Sequence, residues 1–121
     1  MKSKNANYEY LAAIYILLEH SDNVRSIDIV RLRKVSKAAV SKRMKQLRES
    51  GYISMDSEGI SLTKKGREIA EKIHKSHKSF QVFLERIGVD TVNADEIASY
   101  VAHIITPQSL ETCSLYIQGM E

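Results

Sequence analysis

Apolar residues recur at helical spacing along most of this chain. Within residues 5–20, Tyr8, Leu11, Ala12, Tyr15 and Leu18 fall on one stripe and predict a first helix. His20-Ser21-Asp22-Asn23 breaks that stripe. Ser26 reads as the N-cap of a second helix over 27–33, with Ile27, Val30 and Leu32 inward. Ser36 reads as the cap of a third helix that runs to Ser50 and stops at Gly51. At 100° per residue, Val40, Met44 and Leu47 lie within about 60° of one another and form its buried edge.

The period then changes. Tyr52-Ile53-Ser54-Met55 and Ile60-Ser61-Leu62 alternate around Asp56-Ser57-Glu58-Gly59, which predicts a β-hairpin. Thr63 is placed to cap a long fourth helix reaching about Ile87, with Ile69, Ile73, Phe80, Phe83 and Leu84 near one face. Gly88-Val89-Asp90 is a turn. Asn93 followed by Glu96 resembles a capping box for a fifth helix ending near Ile105. Thr106-Pro107 starts a last short helix, with Pro at its first position.

This order predicts a mainly α protein: an N-terminal winged helix-turn-helix over 1–62, then an all-helical dimerisation domain over 63–121. The second part has too little apolar surface for an independent core and enough for packing against a second copy. Tyr100, Val101, Ile104 and Ile105 read as packing for such a homodimer.

Composition narrows the setting. A chain of 121 residues, 43% hydrophobic, suffices for one domain or two small coupled ones. One Cys rules out an internal disulfide framework. No apolar run approaches 18 residues, so no membrane span is expected, and the chain reads as cytoplasmic. Cys113 reads as a small apolar packing residue.

Charge is the most uneven property. Residues 31–48 hold eight of the eighteen Lys and Arg and no acidic residue, a segment of +8. The remainder holds ten basic and fifteen acidic residues and is net −5. Such segregation marks a surface that binds a polyanion, and the helix-turn-helix pattern makes double-stranded DNA the polyanion. On the third helix, Ser36, Ala38, Ala39, Ser41 and Lys42 are candidates for base contact, being small or hydrogen-bonding. Lys37, Arg43, Lys45 and Arg48 are candidates for phosphate contact. Asp56 and Glu58 make the wing a weak contact. Arg33 stands where a helix-turn-helix usually buries a Leu; its stem can cover the core while its head reaches water.

The wording is also specific. NYEYLAAIYILLE, VRSIDIVRLRKVSKAAVSKRMKQLRESGYI, GISLTKKGREIAEKIHKSHKSFQVFLERIGVD and ASYVAH resemble metal-dependent repressors of the diphtheria-toxin-repressor and manganese-transport-regulator type. The resemblance covers nearly all of residues 7–117 and is to the short, two-domain branch. It implies a homodimer that places two winged helices on a DNA operator, with a divalent transition metal (manganese, iron or zinc) held between the first, fourth and fifth helices.

The resemblance also assigns ligand positions. It places an acidic ligand at Glu9, a histidine at His77 and a histidine at His103, with Asp95 at an accessory position. Three further donor positions carry Ala12, Ser99 and Ala102, and another accessory position carries Gln81. Manganese and iron(II) need several carboxylate or imidazole donors, so the implied site, at Glu9, His77, Asp95 and His103, is reduced.

Two mechanisms follow for a DNA-binding repressor: a response to metal through that reduced site, or metal-independent regulation with a decayed sensor. A winged helix that binds protein instead of DNA is a further alternative. An enzyme is not expected, because no Ser/His/Asp or Cys/His constellation, phosphate loop or HExxH motif is present.

Overall fold

The computed structural model describes residues 6–104 and 107–119. Among them the elements run α1 (Ala6–His20), α2 (Ser26–Arg33), α3 (Lys37–Glu49), β1 (Ile53–Asp56), β2 (Gly59–Leu62), α4 (Lys64–Arg86), α5 (Thr91–Ile104) and α6 (Pro107–Gly119). The chain divides into two compact units, Asn7–Glu71 and a second formed mainly by Lys72–Glu121, so the boundary falls within α4.

The first unit is built on one apolar cluster. Leu11 and Ile14 of α1, Ile29 of α2, Val40, Met44 and Leu47 of α3, and Ile53 and Ile60 of the hairpin are all buried in it. Each such side chain contributes about 1.5–3 kcal/mol when fully withdrawn from water. The expected buried edge of α3 is therefore the observed one. Ser36 caps α3, its Oγ accepting from the Ala39 N–H at 3.0 Å.

The hairpin is antiparallel, with Ile53 opposite Leu62 and Asp56 opposite Gly59. The Ile60 N–H also donates to the Val24 carbonyl at 2.8 Å, tying the wing to the segment before α2. Gly59 makes this possible: its φ is +123°, and a Cβ there would stand 2.5 Å from the Val24 oxygen. The Arg25 guanidinium donates to the Ser57 carbonyl at 2.9 Å and holds the tip.

Thr63 joins the wing to α4. Its Oγ1 donates to the Gly51 carbonyl at 2.6 Å and accepts from the Gly66 N–H at 3.2 Å. Lys65 lies over the Tyr52 ring, its Nζ 4.4 Å from the centroid. A Cβ at Gly66 would overlap the Tyr52 carbonyl oxygen. The run Leu62-Thr63-Lys64-Lys65-Gly66 is thus a joint, with a separate task for Thr63, Lys65 and Gly66.

In the second unit, Ile73, Ser76 and Leu84 of α4, Ala94 and Ala98 of α5, and Ile117 of α6 are buried. Gly88, at φ +109°, turns the chain out of α4, and the Val89 N–H bonds back to the Leu84 carbonyl at 2.9 Å. The unit also exposes Ile87, Val92, Ile97, Tyr100, Leu115 and Tyr116.

Four local expectations differ. The residue before α2 is Arg25 rather than Ser26; its N–H donates to Asp28 Oδ2 at 2.8 Å, which starts the helix one residue earlier. Asp90, not Asn93, caps α5: Asp90 accepts from the Asn93 N–H at 3.1 Å and from Asn93 Nδ2 at 2.6 Å. These bonds hold the Asp90 carboxyl below the usual carboxylate range. Leu32 is outward and 46% exposed, because the buried face of α2 centres on Ile29, at 0% exposure. Cys113 is exposed rather than packed. Ile105 lies outside the described residues, as does the side chain of Ile104.

Candidate functional site

The third helix is held rigidly and presents its basic side outward. With Val40, Met44 and Leu47 at no more than 1% exposure, the rest of α3 is fixed in orientation. Lys37, Ala38, Ala39, Ser41, Lys42, Lys45 and Arg48 are all exposed. Thirteen residues make a rod of about 20 Å, and its narrow N-terminal end of Ala and Ser suits entry into a major groove about 12 Å wide. Lys37 and Lys42 flank that end, and Lys45 and Arg48 carry the exposed basic surface toward the other.

Two candidates are partly committed elsewhere. The Ser36 hydroxyl accepts the cap bond from Ala39. Arg43 is folded back on α1, its Nη1 donating to Asn7 Oδ1 at 2.7 Å and its guanidinium carbon 5.7 Å from the Tyr10 centroid. Sequence spacing put Arg43 on a flank and did not reveal its partner. The wing surface is polar, with Ser54, Ser57 and Ser61 exposed. Arg25 was not among the expected site residues; its grip on Ser57 makes it the residue that positions the wing tip.

The metal-ligand positions fall in both units. In the second, α4 and α5 bring His77 and Asp95 together, with His77 Nε2 3.3 Å from Asp95 Oδ1. Ser99 Oγ lies 3.2 Å from the same nitrogen, and the Asp95 carbonyl 3.5 Å from it. Asp95 is 58% exposed and His77 22%, so the pair opens to solvent. Two donors on one divalent ion, each about 2.1 Å from it, stand roughly 3.0–3.4 Å apart. The separation of His77 and Asp95 therefore fits two places in such a shell, with Ser99 a weak neutral neighbour. The backbone of His103 belongs to α5, but its side chain lies outside the described residues. Among the described residues, no three His, Cys, Asp or Glu side chains cluster as a metal site.

Glu9 does not fit in the same way. It belongs to the first unit, and its Oε1 is 3.3 Å from Nη2 of Arg33, with only 13% of the Glu9 side chain exposed. A cation of the chain itself already faces this carboxylate.

Family models match both halves of the chain. Residues 5–59 match the iron dependent repressor N-terminal DNA binding domain, and residues 63–119 match the iron dependent repressor metal binding and dimerisation domain. An HTH-type transcriptional regulator of Methanocaldococcus jannaschii, MJ0568, is 30% identical over 91% of this chain and 90% of its own length. The HTH-type transcriptional regulator MntR of Lysinibacillus sphaericus is 25% identical over 93% of this chain and 82% of its own. The fold matches a manganese-dependent transcriptional repressor solved with manganese, at a TM-score of 0.79 and 21% identity. That match covers 93% of this chain and 52% of the solved one, so the chain spans about half of that protein's length. No helix among the described residues is long and apolar enough to cross a membrane. With a DNA-binding half and a metal-binding and dimerisation half matched in order along one chain, the protein belongs to the iron-dependent repressor family of transcriptional regulators.

Proposed function

We propose that the protein is a homodimeric, sequence-specific DNA-binding repressor, working in the cytoplasm, whose hold on its operator responds to a divalent metal of the manganese, iron or zinc class. Residues 1–62 bind DNA, and residues 63–121 pair the two copies. The observation that carries the reading is α3, a helix pinned by three buried residues that exposes Lys37, Lys42, Lys45 and Arg48 among small residues. Lys37, Lys42, Lys45 and Arg48 meet phosphates, while Ala38, Ala39, Ser41 and Lys42 approach base edges.

The apolar residues exposed on the second unit support the dimer. A monomer rarely leaves Val92, Tyr100, Leu115 and Tyr116 in water together at 59–74% exposure. Burying them between two copies sets the spacing of two recognition helices, which a palindromic operator requires.

The donor chemistry of His77 and Asp95 supports a metal response, with His103 as the third ligand. A bound ion there would supply positive charge between α4 and α5, which alters the geometry of the dimerising unit. The test is a titration of the purified protein with manganese, iron(II) or zinc, followed by calorimetry and by binding to its own promoter DNA. Tighter DNA binding with metal, lost in the H77A/H103A double variant, is the expected result. Equal affinity in chelator and in metal would favour the metal-independent regulator instead.

A further inference from the structure

Arg33 is the least conventional residue of the first unit. It occupies a helix-turn-helix position that usually holds a buried aliphatic side chain, while its neighbour Leu32 is left outside. Its side chain is 31% exposed, and its head reaches α1. There Nη2 pairs with Glu9 Oε1 at 3.3 Å, and the guanidinium carbon lies 5.5 Å from the Tyr10 centroid. Arg33 Nε is buried and finds no hydrogen-bond partner among the described residues. A buried unpaired donor costs about 1–3 kcal/mol, so something must hold the side chain in place. The Glu9 carboxylate and the Tyr10 face are placed to do so.

Arg43 of α3 approaches the same ring at 5.7 Å and bonds Asn7 at 2.7 Å. Two guanidinium groups, from α2 and α3, thus converge on one almost fully buried tyrosine of α1. The three helices of the DNA-binding unit are tied through a charged joint in which Glu9 is the anion.

We propose that Arg33 is a built-in cation for Glu9: it removes that carboxylate from metal binding and clamps α1, α2 and α3 without any ion. Metal binding is then confined to the donors of the second unit, and part of the DNA affinity is independent of metal. A metal ion at Glu9 has to displace a half-buried guanidinium or sit beside a like charge, and both are unfavourable.

The test uses the full chain and manganese alone, with calorimetry for metal affinity and anisotropy of promoter DNA in chelator for the clamp. Glu9→Gln is expected to leave manganese affinity within about twofold of wild type. Arg33→Met is expected to tighten it by about fivefold, the size of effect of one nearby charge, and the gain is expected to vanish in the E9Q/R33M double variant. In chelator, R33M is expected to weaken DNA binding, and Arg33→Lys, which keeps the charge, to restore most of it. A tenfold loss of manganese affinity in E9Q overturns the proposal, as does unchanged manganese affinity in R33M. If R33M does not fold, the E9Q titration decides. If the wild type binds no manganese, the metal response proposed for His77 and Asp95 fails. The proposal about Arg33 then stands or falls on whether R33M gains manganese binding.

Discussion

Replacing Gly66 with alanine sets two effects of opposite sign against each other. At an unconstrained helix position the change stabilises by up to about 1 kcal/mol, because glycine loses more backbone freedom on folding. At this position the new Cβ would overlap the Tyr52 carbonyl oxygen. That oxygen also accepts from the Thr63 N–H at 3.1 Å. Thr63 Oγ1 in turn bridges the Gly51 carbonyl at 2.6 Å and the Gly66 N–H at 3.2 Å. Shifting the first turn of α4 by enough to relieve the overlap breaks two of these bonds, at about 1 kcal/mol each, and loses a cap worth about 1 kcal/mol. After the propensity gain, the net loss is about 2 kcal/mol. For a unit the size of Asn7–Glu71 this lowers the melting temperature by roughly 8–16 °C. Thermal unfolding followed by far-UV circular dichroism reads it directly. A Gly66→Ala protein that melts at or above the wild-type temperature would refute the close approach of α4 to Tyr52.

Further outcomes follow from other joints. Lys34 ends α2 at φ +56°, the one non-glycine residue at positive φ among those described, and Lys34→Gly should stabilise the unit by about 0.5–1 kcal/mol in urea denaturation. The lowered Asp90 carboxyl contributes stability that is fully present above the pKa it has when unfolded, about 4, and is lost as pH falls through its lower folded value. Asp90→Ala should therefore flatten the stability profile below about pH 4, and an unaltered acid limb would argue against the cap. Arg43→Ala should destabilise the fold through loss of its Asn7 bond, yet leave the salt slope of DNA binding within about one unit of wild type.

Much of this fold is legible in the residue pattern because burial enforces it. Val40, Met44 and Leu47 repeat at the helical period, and the helix they predict is the one that packs. The hairpin follows from alternation around Gly59. The parts that escaped reading depend on polar partners distant in sequence. Leu32 fits an inward position by spacing, but α2 is turned so that Ile29 is the side chain it buries, and Arg33 reaches Glu9. Asn93 has the composition of a cap, yet Asp90 lies three residues earlier with a carboxylate that accepts two bonds from Asn93. For the site, the exposed basic face was readable from charge segregation alone. The pairing of His77 with Asp95 was foreseen only through family resemblance, and the engagement of Glu9 by Arg33 had no signal in spacing. Each depends on the approach of two helices, which a one-dimensional pattern does not encode.

The central claim is that α3 binds DNA through its exposed cations, and the salt dependence of affinity tests it most directly. On the proposed homodimer, Lys37, Lys42, Lys45 and Arg48 of both copies would give eight phosphate contacts, hence a slope of log affinity against log salt of about −7. Lys42→Ala with Lys45→Ala should reduce that slope to about −4 while the protein stays folded and dimeric. Anisotropy of labelled promoter DNA over stepped salt concentrations, for wild type and the double variant, reads both values. A flat wild-type response, or a slope that the double variant leaves unchanged, would contradict the account.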